Sequence, residues 1–247
     1  MKTIQFTPIK KSILGLINPP ISASKMLPEW YKHQNAIIGD KLELNNDGAA
    51  NISVKKCMPV LDDMSAGYYI TLPSDVLVSF NEDNEPNFSW SLDIIGNHNS
   101  NGKLDALPPL VATHSREQIA NVQIPFEYST YPFKWNTYYR ITTPPGYSCM
   151  FRQPSWRFDV PFYTLSGIVD TDKHPVPVNL PFLIRDRWEG IIPEGTPIAQ
   201  VIPFKRTDWK SEVVGTNNKS GSREFRKSTK KVMHRYKDNW RSIKTWK

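Results

Sequence analysis

Two aspartates close an apolar run in the segment SGIVDTDKHP, residues 166–175, and their type and spacing could support acid–base chemistry. Asp170 and Asp172 are two positions apart at the predicted end of a strand, just before a loop. A carboxylate held there could activate a water molecule as a general base. An aspartate at a strand end can instead accept backbone N–H bonds and hold a turn. We favour the turn for Asp170, and we expect Asp172 to pair with Lys173 or with a neighbouring subunit.

The sequence shows no other constellation of catalytic or metal-binding residues. Its five histidines lie far apart and lack ligand spacing, at positions 33, 98, 114, 174 and 234. Cys57 and Cys149 make neither a disulfide framework nor a zinc pattern, so we expect both to be reduced and buried. Neither a phosphate-binding glycine loop nor a nucleophile elbow is present. We therefore predict no metal site and no cofactor.

Composition and periodicity predict an all-β fold. The chain has 21 prolines and 12% aromatic residues, which suits short strands joined by many turns. Runs rich in aromatic and β-branched residues predict the strands. They lie at 68–72, 76–80, 88–94, 137–143, 147–152, 162–169, 180–184 and 197–204. With little helix between them beyond a short one predicted at 115–121, these strands indicate a β-sandwich or barrel.

Changes in composition divide the chain into three parts. Residues 1–50 are a proline-rich N-terminal arm with two aromatic anchors, Trp30 and Tyr31. Such an arm is expected to lie extended against its own body or against a neighbouring subunit. Residues 51–206 form the β domain. Residues 207–247 form a basic C-terminal tail, in which the pattern predicts an amphipathic helix from 222 to 246.

The tail carries most of the positive charge. Between Lys205 and Lys247 there are 14 Lys and Arg against 4 Asp and Glu, whereas the whole chain has a net charge of +7. This asymmetry indicates an anionic partner, although a solvated helix would also account for it. The apolar stripe of the predicted helix should be buried on the protein's own body or on a neighbouring subunit. The candidate contacts for a partner or a nucleic acid are Arg226, Lys227, Lys230, Lys231, Arg235, Lys237, Arg241 and Lys244.

Neither a signal peptide nor a membrane span is predicted. Pro8, Lys10 and Lys11 interrupt the apolar core that a signal peptide needs. The sequence has no apolar run of about 18 residues. We therefore expect no secretion through a signal peptide and no membrane partner.

Four separated segments together resemble motifs of the trimeric dUTPase and dCTP deaminase superfamily. DDMSAGYYI (62–70) resembles the first dUTPase motif, and TPPGYSCMFRQPSW (143–156) resembles the turn that leads into the second. SGIVDTDKHP is similar to the third motif, and IPEGTPIAQVIPF (192–204) is similar to the fourth. The resemblance implies a dUTPase-like distorted jelly roll that assembles as a homotrimer.

The resemblance also assigns roles to single residues. Asp170 matches the aspartate that contacts the sugar and orients the attacking water, so it is the family-equivalent catalytic candidate. Asp172 matches the second aspartate of the third motif, Ser155 the serine of the second motif and Gln200 the glutamine of the fourth. All four are candidates for binding a nucleotide.

Several other motif positions depart from the family. Tyr69 stands in place of the aspartate that handles magnesium, and a phenol does not replace a carboxylate beside a hard cation. Pro154 replaces the arginine that clamps phosphate. Lys173 replaces the tyrosine that packs under the deoxyribose, and Thr196 replaces the fourth-motif aspartate. The glycine-rich closing arm is also missing, so we expect no classical dUTPase activity.

The same segments resemble a narrower group of tailed-phage proteins. We therefore expect a viral structural or assembly-associated protein on a non-catalytic trimer. Its partners would be other virion or assembly proteins, and it would occupy the host cytoplasm and the virion. A nucleotide-binding protein without turnover is the alternative. A nucleotide phosphohydrolase with a rearranged magnesium site, using Asp62, Asp63 or Glu189, is a further one.

Overall fold

The computed structural model describes residues 2–46, 50–91, 107–215 and 235–246. Antiparallel strands dominate this part of the chain, which confirms the all-β prediction. The strands are β1 Gln5–Pro8, β2 Ile21–Ser22, β3 Tyr68–Thr71, β4 Val76–Phe80, β5 Pro86–Trp90, β6 Val111–Thr113, β7 Phe133–Trp135, β8 Tyr139–Thr142, β9 Tyr147–Arg152, β10 Phe162–Thr164, β11 Gly167–Val169, β12 Leu180–Ile184, β13 Gly190–Ile192 and β14 Pro197–Lys205. The predicted strand at 88–94 corresponds to β5, and residues 92–106 lie outside the described residues.

The strands form four antiparallel sheets. The largest has the order β11-β9-β14-β3-β2, and a four-stranded sheet has the order β10-β12-β7-β6. A three-stranded sheet, β13-β4-β5, and the pair β1-β8 complete the set. Non-consecutive neighbours such as β9 and β14 mean that long connections bring distant segments together, as in sandwich-like β folds.

One hydrophobic core joins all four sheets. Its centre is aromatic: the rings of Trp135 and Phe182 are stacked with centroids 3.9 Å apart, and Phe162 meets Trp135 edge-on at 5.4 Å. Phe151 from β9 and Val201 from β14 belong to the same cluster. Offset and edge-on aromatic pairs add to the free energy gained from burying their area. The core thus holds β9 and β14, the strands that carry Ser148, Arg152 and Gln200 of the candidate site.

Helices are short in the described part of the chain. They are α1 Glu29–His33, α2 Met58–Met64 and α3 Arg235–Asn239. The helix predicted at 115–121 is a 3-10 turn, Arg116–Ile119. None of the helices in the residues described above is long and apolar enough to cross a membrane.

The N-terminal arm contributes directly to the body. β1 pairs with β8, and β2 pairs with β3 at the edge of the largest sheet. The side chains of Ile13, Ile17 and Tyr31 are buried. The described arm therefore lies against its own chain through both backbone pairing and apolar contacts.

Of the helix predicted from 222 to 246, the described residues show one short part, Arg235–Asn239. Residues 222–234 lie outside the described part, and in the remainder the helix ends at Asn239. From Arg241 to Trp246 the chain is not helical. Contacts of this segment with the body hold it in a different conformation, and such contacts outweigh the helix propensity of a five-residue helix.

Candidate functional site

The four candidates for nucleotide binding, Ser155, Asp170, Asp172 and Gln200, lie in two clusters at opposite ends of the β9–β14 pair. The antiparallel register places Gln200 opposite Arg152, and Phe204 opposite Ser148. Arg206 follows directly after β14, six residues from Gln200, which corresponds to about 20 Å along a strand. We call the two groups the Gln200 cluster (Asp63, Arg152, Ser155, Gln200) and the Arg206 cluster (Ser148, Asp170, Asp172, Arg206).

Gln200 is fully buried and uses both ends of its amide. Its Nε2 donates to the backbone carbonyls of Asp63 and Ala66, each at 2.8 Å. Its Oε1 accepts from the backbone N–H of Ser155 at 3.1 Å and from its hydroxyl at 2.9 Å. The side chain therefore ties the end of α2 to the turn after β9. Gln200 thus acts as a structural bridge.

Arg152 completes the Gln200 cluster. Its Nη2 donates to the Asp63 carboxylate, to the Ser155 hydroxyl and, at 3.2 Å, to Gln200 Oε1. Its Nε is buried without a hydrogen-bond partner among the described residues. The cluster is a closed network in which the Ser155 hydroxyl is already engaged by two neighbours.

Two residues of the segment 62–70 fix the geometry next to Gln200. Tyr69 is fully buried, and its hydroxyl donates to the Met64 carbonyl at 3.0 Å. Burial raises the pKa of Tyr69 to about 12, so its hydroxyl stays protonated. Gly67 has φ of +69°, and a Cβ built there would lie 2.0 Å from the Val201 carbonyl oxygen. Only glycine permits this close approach of two backbones.

The centre of the Arg206 cluster is a bidentate ion pair between Arg206 and Asp172. Arg206 donates to both carboxylate oxygens, with Nη1–Oδ1 at 2.9 Å and Nη2–Oδ2 at 2.5 Å. The backbone N–H of Gly146 also donates to Asp172 Oδ2 at 2.8 Å. The Asp172 side chain is only 5% exposed. The hydrogen bond from Arg206 is the main reason that the pKa of Asp172 falls to about 2.

The partner of Asp172 is therefore Arg206, and neither Lys173 nor a subunit neighbour is needed to explain its burial. Asp172 also holds the Pro-Pro-Gly turn at Gly146, a role that the sequence did not predict for it.

Asp170 differs from Asp172 in its exposure. Its carboxylate accepts from the Ser148 hydroxyl at 2.7 Å and lies 3.2 Å from Arg206 Nη1, yet the side chain is 53% exposed. Its backbone carbonyl accepts from the N–H groups of Lys173 and His174, both at 2.9 Å. Asp170 thus supports the turn mainly through its backbone, and one side of its carboxylate faces solvent.

The carboxylates of the magnesium alternative are also engaged. Asp63 pairs with Arg152, and Asp62 accepts from Arg241 and Lys244 of the tail. Glu189 Oε1 accepts from the backbone N–H of Phe80 at 2.9 Å. Within the described ranges, no three His, Cys, Asp or Glu side chains are grouped so that they could hold one metal ion.

Of the eight basic tail candidates, three have side chains that the structure describes. Arg241 and Lys244 bind Asp62, and Lys237 is exposed. Arg235 begins α3. Arg226, Lys227, Lys230 and Lys231 lie outside the described residues.

An open cleft borders the Gln200 cluster. It encloses about 470 Å³, and Ser155 is one of its lining residues. The aromatic side chains of its wall are Tyr128, Trp156, Phe158, Phe162 and Tyr163. Trp156 has φ of +62°, an uncommon conformation for a bulky residue, and its ring lies 6.0 Å from that of Phe158. Arg185 lies at the edge with an exposed side chain. The cleft was not foreseen, because its wall comes from three separate segments.

The two cysteines differ. Cys149 is buried as expected, and burial raises the pKa of its thiol to about 11. Cys57 is exposed, so the prediction for it is wrong. It lies between a 3-10 turn and α2, where no apolar pattern could reveal its exposure.

No family model, curated protein or solved structure matches this chain. The dUTPase-like resemblance accordingly depends on the four motifs themselves.

Proposed function

We propose that the protein is a non-catalytic structural or assembly-associated protein of a phage, built on a dUTPase-like trimer. One observation supports the proposal that the protein is non-catalytic. The acidic residues considered for phosphohydrolase chemistry are already engaged within the chain: Asp63 by Arg152, Asp170 and Asp172 by Arg206, Asp62 by Arg241 and Lys244, and Glu189 by the backbone N–H of Phe80. The phage assignment rests on the motif resemblance.

Exposed apolar residues support a role in assembly. After Arg206, residues 207–215 form neither helix nor strand. Trp209 is 89% exposed and Val213 is fully exposed. Exposed large apolar side chains grouped in one segment are typical of surfaces that bind other proteins, and tryptophan is enriched at their energetic centres. We assign this segment to contacts between copies or with other assembly proteins.

Light scattering coupled to gel filtration tests the assembly. The wild type should run as a trimer, and Trp209→Ser with Val213→Ser should weaken this or a higher assembly. Val122→Ser, which also removes a half-exposed apolar side chain, is the matched control. Mass spectrometry of purified particles of the phage should detect the chain. A monomer that is also missing from particles would refute the proposal.

Nucleotide binding without turnover is the second candidate, and the cleft beside Ser155 favours it. Its aromatic wall could stack a base, and the guanidinium of Arg185 could meet a phosphate. A thermal-shift screen of nucleotides should then show stabilisation that Tyr163→Ala and Arg185→Ala abolish, since a ligand that binds the folded state stabilises it. Hydrolysis with magnesium or manganese that Asp170→Asn abolishes would instead support the phosphohydrolase alternative. If no nucleotide stabilised the protein and none was hydrolysed, both nucleotide alternatives would be refuted and the assembly role would be the remaining proposal.

A further inference from the structure

The end of the tail is bound to the body through one buried carboxylate. The guanidinium of Arg241 donates two hydrogen bonds to Asp62 Oδ1, from Nη2 at 2.7 Å and from Nε at 3.1 Å. Lys244 Nζ lies 3.0 Å from Asp62 Oδ2. The Asp62 side chain is 12% exposed, and both of its side-chain partners in the described structure belong to the tail. A largely buried carboxylate needs such partners, because an unpaired buried charge is costly.

A second anchor lies at the last described residue. The Ser22 hydroxyl donates to the Trp246 carbonyl at 2.6 Å. The indole ring of Trp246 meets the Tyr68 ring edge-on, with centroids 6.4 Å apart. Thr245 and Trp246 also line a cavity of about 180 Å³ together with Tyr68. The tail is therefore held by charge at one end and by an aromatic contact at the other.

The elements that form this surface are all parts of the body. Asp62 is on α2, Ser22 on β2 and Tyr68 on β3. β2 and β3 are paired in the largest sheet, with Ser22 opposite Tyr68. Because these residues belong to paired strands and to the helix that leads into β3, the surface is preorganised and does not need the tail to create it.

We propose that Asp62, Ser22 and Tyr68 form an acceptor site for a peptide of the pattern Arg-x-x-Lys-x-Trp, and that residues 241–246 fill it as a tethered ligand. Any polyanion that uses Arg241 and Lys244 must first displace Asp62. The site therefore sets the affinity of the tail for anionic partners: a closed tail binds them weakly, and a released tail binds them tightly. The assembly role is not required for this behaviour.

The acceptor site is tested with a fluorescent peptide of residues 240–246 added to the full chain. The variant Arg241→Glu with Lys244→Glu removes the cations of the tethered segment, so its acceptor site is open to the added peptide. This variant should bind the peptide at least about tenfold more tightly than the wild type, because the wild-type site is occupied. Adding Asp62→Asn to the variant should abolish the gain. Equal binding by all three proteins would overturn the acceptor site.

The competition is tested with an oligodeoxythymidylate as the polyanion. Asp62→Asn should bind it several-fold more tightly than the wild type, since the tail cations are released. Asp83→Asn removes the same charge from an exposed position and is the control for a change in net charge. An Asp62→Asn affinity no higher than that of Asp83→Asn would overturn the competition. In both proteins the affinity should fall steeply with salt.

Discussion

Gln200 offers the sharpest test of whether a nucleotide-binding candidate has a structural role instead. Gln200→Met keeps the length of the side chain and removes both hydrogen-bonding ends. The Ala66 carbonyl and the Ser155 N–H then lose their partner, and the Asp63 carbonyl loses its donor at 2.8 Å. Each buried group left unpaired costs about 1–3 kcal/mol. For two such groups we expect the free energy of unfolding to fall by about 2–6 kcal/mol, a large share of the stability of a typical domain.

Urea unfolding followed by tryptophan fluorescence measures this loss. Gln153→Met is the matched control, because Gln153 Oε1 accepts one backbone hydrogen bond, from Thr164 at 2.8 Å. The control should lose about 1–2 kcal/mol. If both variants lost the same stability within about 1 kcal/mol, the reasoning that makes Gln200 a bridge would be wrong. If Gln200 instead served to bind a ligand, Gln200→Met would keep the stability of the free protein and would lose only the stabilisation that the added ligand provides.

Three further predictions concern the residues around this bridge. Gly67→Ala should cost at least about 2 kcal/mol more than Gly195→Ala, since both have positive φ but a Cβ meets the backbone only at Gly67; equal losses in urea unfolding would contradict the close approach. The lowered pKa of Asp172 means that its contribution to stability is complete above about pH 4 and is lost as the pH falls towards 2. The stability of the wild type should therefore fall more steeply over that range than that of Asp172→Asn, and parallel curves would refute the assignment. Iodoacetamide should modify Cys57 in the native protein and reach Cys149 only after unfolding, and mass spectrometry showing early labelling of Cys149 would refute its burial.

Much of the fold could be predicted from local patterns, and particular strands show why. The run YSCMFR became β9 and PIAQVIPF became most of β14, because aromatic and β-branched residues favour a half-buried pleated surface. The short helix α2 was not foreseen, because its sequence MPVLDDM is too brief to show a helical period. The jelly roll and the trimer remain predictions.

From the sequence, only the types of the site residues could be predicted, because the residues that contact one another in the site are far apart along the chain. Arg206 lies 34 positions from Asp172, and Arg241 lies 179 positions from Asp62. No local pattern identifies which of the many basic residues will reach a given carboxylate. The extent of the tail helix could not be predicted for the same reason: Arg235–Asn239 is helical, whereas residues 241–246, which contact Asp62 and Ser22, are not.

The two clusters also change what the motif resemblance can mean. Keeping a residue type at a motif position does not imply that its chemistry is kept, since Gln200 and Asp172 have complete structural roles inside this chain. Among the four candidates for nucleotide binding, Asp170 is the one whose side chain is mostly exposed. It lies at the far end of the β9–β14 pair from Ser155, so one chain cannot bring both to the same small ligand. A nucleotide that touched both would have to lie between subunits, which links the nucleotide alternative to assembly: a monomeric variant that still bound a nucleotide would do so without the full set of motif residues.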